Sequence, residues 1–73
     1  MKAKNAIVGA KVQIKRSSKW YCDGSRCNPK DTTGTIISFN LGADLEGDFS
    51  THVDWGNGCT NCYRLLDLQL VKE

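Results

Sequence analysis

The sequence predicts an all-β fold in which five short strands close into a small barrel. Three observations carry this expectation. Several segments alternate apolar and polar residues with period two, no segment keeps a helical period over eleven or more residues, and Asn57-Gly58 marks a tight turn between two alternating segments. Closure would remove the edges that a flat sheet of this size leaves open to aggregation.

Each element follows from its own residues. Residues 8–15 place Val8, Ala10, Val12 and Ile14 on one side and Lys11, Gln13 and Lys15 on the other, the pattern of a half-buried strand. Residues 16–33 form a long loop rich in Ser, Asp, Gly and Asn, with the only proline, Pro29, and a length that implies a functional or clamped segment. Residues 34–39 read as a second strand rich in β-branched side chains, and residues 40–48 as a turn region with Gly42 and Gly47. Residues 49–55 alternate again, putting Phe49, Thr51, Val53 and Trp55 together as a third strand. Asn57-Gly58 suits the two positive φ angles of a type I′ turn, so residues 59–65 fold back as a fourth strand. Residues 66–71 suit a short turn or 3-10 element followed by a final strand.

At 73 residues and 8.1 kDa the chain is read as one domain, residues 1–73, with residues 1–6 flexible. A large enzyme fold is excluded. The buried area of so small a core roughly cancels the entropy of ordering the chain, so a covalent or metal staple is expected. No apolar run is long enough to span a membrane or to serve as the core of a signal peptide, and the chain is expected to be cytoplasmic. The net charge is +2, but residues 1–30 carry +7 and residues 31–73 carry −5. Such a division could present a basic face to an acidic partner, or it could cancel where the segments interleave in one sheet.

The cysteines are spaced as two close pairs, Cys22/Cys27 and Cys59/Cys62, separated by a long segment. This is how a four-cysteine zinc site is assembled, each pair supplying half of a tetrahedron, and zinc would add the folding free energy that a small core lacks. The long loop can lie over the hairpin at residues 57–62 to bring the pairs together. Cys59 and Cys62 sit three apart in a strand, however, a spacing that points them to opposite faces unless a bulge intervenes. Disulfides or unbound thiols are the alternatives. A thioredoxin-like role for Cys59-Thr60-Asn61-Cys62 is disfavoured, because that chemistry wants the motif at a helix N-terminus.

Residues 53–58 (Val-Asp-Trp-Gly-Asn-Gly), followed by Asn61, Tyr63-Arg64 and Asp67-Leu68, resemble the Mind bomb/HERC domain, an SH3-like barrel of ubiquitin ligases. The opening strand at residues 8–12, Lys19-Trp20 and Gly34-Thr35-Ile36 are similar to the same pattern, in the same order. The four cysteines are additions to it. The resemblance implies a small five-stranded SH3-like barrel with a long first loop, acting as a non-catalytic domain that recognises a partner protein.

A protein or peptide segment is therefore the expected ligand, gripped by Trp20 and Tyr21 in the polar loop together with Arg16, Lys19, Arg26 and Tyr63. An alternative is nucleic-acid binding of the KOW or Tudor kind along the basic stripe of Lys11, Lys15 and Lys19, although a solvated strand face explains the same lysines. A third possibility is redox or metal handling through the cysteine pairs. Phe39, Phe49 and Trp55 are expected in the core. His52, the lone histidine, is expected to face outward from the third strand. No nucleophile elbow or phosphate-binding glycine motif is visible, and Asp44, Glu46 and Asp48 read as a solvated turn. No catalytic residue is assigned.

Overall fold

In a computed structural model, residues 1–40, 42 and 47–71 are described, and they form one open five-stranded antiparallel sheet. The strands are β1 (Lys11–Ile14), β2 (Gly34–Phe39), β3 (Thr51–Asp54), β4 (Thr60–Tyr63) and β5 (Leu68–Leu70). Their order across the sheet is β4-β3-β2-β1-β5, so β1 to β4 form a meander and β5 returns beside β1. The all-β expectation holds. A 3-10 turn at Leu65–Asp67 precedes β5, where the sequence predicts a short turn or 3-10 element and a final strand over residues 66–71.

Every strand contributes to one core. Val12 and Ile14 of β1, Ile36 of β2, Val53 of β3, Tyr63 of β4 and Leu68 of β5 form a single buried cluster with Trp55. Strands at opposite edges of the sheet reach the same cluster, which requires the sheet to curl around it. Gly34 is buried where β2 begins because no side chain fits: a Cβ there would lie 2.6 Å from both Val53 Cγ1 and Trp55 Cε3.

Local departures from the sequence expectation have identifiable causes. Val8 is exposed, since β1 begins only at Lys11. Phe49 is exposed as well, because β3 begins two residues after it; Trp55 is buried as expected and Phe39 packs against the core partly buried. The β3–β4 connection lacks a type I′ turn over Asn57-Gly58. Positive φ falls instead on Gly56 (74°) and Gly58 (85°), and Asn57 contributes through its side chain, with Oδ1 accepting from Cys59 N at 3.0 Å. Residues 1–6 include a 3-10 turn at Ala3–Asn5, and the Met1 amino group donates to Leu65 O and Leu68 O. Asp44 and Glu46, read as part of a solvated turn, lie outside the described residues.

The pairing of β2 with β3 contains one irregularity. Ile36 pairs with Val53 and Ser38 with His52, so Ile37 is an extra residue, a β-bulge. Two consecutive residues, Ile37 and Ser38, therefore face outward before Phe39 turns in opposite Thr51.

Candidate functional site

The long loop between β1 and β2 has no helix or strand, and it is fastened to the β3–β4 hairpin. Cys27 and Cys59 form a disulfide across a sequence separation of 32. Beside it, the Arg26 guanidinium donates to Asn57 O at 2.9 Å, and Asn57 Nδ2 donates back to Arg26 O at 2.8 Å. Asn61 Nδ2 donates to Cys27 O and Asn28 Oδ1. The buried Tyr63 hydroxyl completes the junction, reaching Cys27 O at 2.7 Å and Asn28 Oδ1 at 2.6 Å while accepting from Trp55 Nε1 at 3.2 Å. Within the loop, the Asn28 amide and the Ser25 hydroxyl both donate to Asp23, and Ser25 and then Asn28 hold its carboxyl below the usual carboxylate range.

The disulfide overturns the expected zinc site. Two of the four sulfurs are bonded to one another and cannot serve as thiolate ligands, while Cys22 is exposed and Cys62 half-buried, both free. Among the described residues no three His, Cys, Asp or Glu side chains are grouped so as to hold a metal ion. The bridge joins one cysteine of each sequence pair, Cys27 to Cys59, so the expected metal handling by the two pairs falls with the site. The loop does lie over the hairpin, but the staple is covalent.

The other end of the loop is held at the 3-10 turn. The Ser18 hydroxyl donates to the buried Asp67 carboxylate at 2.9 Å, Arg64 Nε donates to its other oxygen at 3.3 Å, and Lys15 N donates to Asp67 O. Ser18 Oγ also accepts from Trp20 N, which fixes where Trp20 leaves the loop.

Between these two anchors lies an open groove of about 320 Å³, lined by Trp20, Asn28, Phe49, Asn61, Cys62 and Tyr63. Trp20 and Phe49 meet edge to face at 6.2 Å between centroids, with Lys19 Nζ 4.8 Å from the Trp20 ring and Arg64 Cζ 5.0 Å from the Phe49 ring. Trp20 Nε1 is buried with no hydrogen-bond partner among the described residues, so packing alone holds the indole.

The sequence-selected residues are distributed unevenly around this groove. Trp20 and Tyr63 line it, although Tyr63 is only 1% exposed and serves as its floor; Lys19 caps the Trp20 ring. Tyr21 and Arg16 belong to a different cluster, where the Tyr21 hydroxyl donates to Asp31 at 3.0 Å and Arg16 lies 3.7 Å from the same carboxylate. Arg26 is spent on the hairpin. Of the basic stripe, Lys11 donates to Thr35 Oγ1 at 2.8 Å, and Lys15 and Lys19 are separated by the Ser18 anchor. Asn28, Phe49 and Asn61 are groove residues that the sequence pattern does not mark as such. The expected crossing of the loop over the hairpin at residues 57–62 includes Asn61 without singling it out, and leaves out Phe49.

A second constellation is equally silent in the sequence. His52 and Cys62 are cross-strand partners, and because Trp55 N bonds Cys59 O, alternation makes their pair the close, non-hydrogen-bonded kind. Cys62 Sγ is 3.4 Å from His52 Nδ1 and 3.8 Å from Nε2, while Nε2 is 2.9 Å from Asn40 Oδ1.

No protein-family model, curated protein or solved structure matches this chain. Its class therefore rests on the fold and the site: an all-β domain whose disulfide-fastened loop frames an aromatic groove. No helix among the described residues is long and apolar enough to cross a membrane.

The fastening has two measurable consequences. Replacing Cys27 and Cys59 by serine together should lower stability by about 3–4 kcal/mol, read from urea denaturation, because a loop of this length closes in the unfolded chain. A destabilisation below ~1 kcal/mol would show that the cystine is dispensable. Burial also pushes the Tyr63 phenol up from 10.0 to about 12. The unfolded chain loses this proton near its ordinary value while the folded protein keeps it. Stability from this group is thus complete below pH 10 and is lost as pH rises from 10 to 12. The alkaline fall in stability should be shallower in Tyr63→Phe, and equal slopes would contradict the assignment.

Proposed function

We propose that the protein is a small non-catalytic binding module of the SH3-like kind, and that it takes an extended protein segment into the groove between Trp20 and Phe49. The observation that carries this reading is the groove itself, an open, largely apolar cleft with Trp20 and Phe49 as aromatic walls and Asn28 and Asn61 among its lining residues. Its volume suits one or two side chains, the scale at which a peptide anchor is recognised. Lys19 and Arg64 on the ring faces favour a segment with acidic residues flanking its apolar anchor.

The strand order β4-β3-β2-β1-β5, the long β1–β2 loop and the 3-10 turn before β5 support the SH3-like reading. A nucleic-acid reading has less support, since Lys11 is engaged by Thr35 and the basic side chains do not line the groove. An intracellular location draws no support from the fold, and the cystine weighs against it, because such bonds persist chiefly in oxidising compartments.

Selection from a displayed library of random peptides tests the reading. Retained sequences should share an apolar anchor, and Trp20→Ala and Phe49→Ala should each weaken a selected peptide by roughly tenfold or more, while Trp20→Phe, which gives up no hydrogen bond, binds nearly as wild type. Undiminished binding by both alanine variants would overturn the proposed groove. So would selective retention of single-stranded oligonucleotides with steep salt dependence in place of peptides.

A further inference from the structure

Cys62, His52 and Asn40 lie in series as a thiol, an imidazole and an amide, and the binding function gives no role to His52 or Asn40 and only a lining role to Cys62. Their placement follows from the sheet. The hairpin register sets Cys62 directly opposite His52, and the bulge at Ile37 shifts β2 so that Asn40, held by its N–H to Ser50 O at 3.1 Å, comes alongside the histidine. Asn40 Oδ1 is an acceptor, so it fixes the imidazole proton on Nε2 and leaves Nδ1, 3.4 Å from the sulfur, unprotonated. That is the tautomer able to take a proton from a thiol. The charged residues at neighbouring positions are Asp54, exposed two residues along β3, and Arg64, which is engaged with Asp67. Neither blocks the pair.

We propose that Cys62 is an activated thiol that undergoes exchange with low-molecular-weight disulfides. His52 takes the Cys62 proton, and the thiolate attacks one sulfur of the disulfide. A new S–S bond forms at Cys62, the original S–S bond breaks, and the departing thiolate takes the proton from His52. The external disulfide is the oxidant, and one equivalent of small thiol is released. The native cystine is spared by parity: Cys59 and Cys62 are three apart along extended chain, so their side chains leave on opposite faces. Cys62 also lines the groove, so the adduct would sit where the ligand binds. The chemistry itself does not depend on what the groove recognises.

Cys22 provides the internal comparison, being free and exposed. The Cys22→Ser variant leaves Cys62 as the sole free thiol, and Cys62→Ser leaves Cys22. With oxidised glutathione as probe, intact-mass kinetics at neutral pH should show Cys62 reacting roughly tenfold faster than Cys22, despite its lower exposure, with the Cys27–Cys59 bond retained in peptide maps. In the Cys22→Ser background His52→Gln should remove the advantage, while Asn40→Ala reduces it and Asn40→Asp restores it. Unchanged thermal midpoints in these variants separate loss of activation from loss of fold. Reaction of Cys62 no faster than Cys22, an unaltered rate in His52→Gln, or scrambling of the native cystine would each overturn the proposal.

Discussion

A loop that has no regular structure lies across a hairpin that could not by itself close a core, and the crossing is made at one junction. Cys27 is bonded to Cys59, and within the same few ångströms the Tyr63 hydroxyl, the Asn61 amide and the paired Arg26/Asn57 contacts satisfy the loop's carbonyls. Buried polar groups are costly unless partnered, and here each partner belongs to the opposite element. The junction therefore ties the loop to β4 through the Asn61 and Tyr63 side chains and fixes the loop that bears Trp20. The Ser18–Asp67 anchor holds the loop's other end. The groove is the space left between the two.

Much of the architecture is legible in the chain. The strand at residues 34–39 and the 3-10 turn before the last strand are readable because alternation, β-branching and a short apolar run act locally. The fastening of the long loop is less so. Its clamping can be inferred from its length, yet not the bond that clamps it, since two close cysteine pairs suit zinc and cystine equally until the pairing is known. The odd spacing of Cys59 and Cys62 is the informative detail. It sends the two sulfurs to opposite faces, leaving Cys59 for the loop and Cys62 for His52.

The site is harder to read than the fold for a related reason. Trp20 stands out as an aromatic in a polar loop, but its wall partner Phe49 looks like a core residue because it continues the alternation of β3. The strand starts two residues later and releases it to the surface. Asn40 owes its position to a β-bulge, which nothing in the sequence of β2 announces. Register and bulges are set by the whole sheet, so they decide function while remaining silent locally.

The pairing of the cysteines tests this account most directly. Digestion without reductant, after blocking free thiols with an alkylating reagent, should yield one cross-linked species joining the peptides that contain Cys27 and Cys59, with Cys22 and Cys62 alkylated. A cross-link that includes Cys22 or Cys62, or four alkylated cysteines in the freshly isolated folded protein, would contradict it.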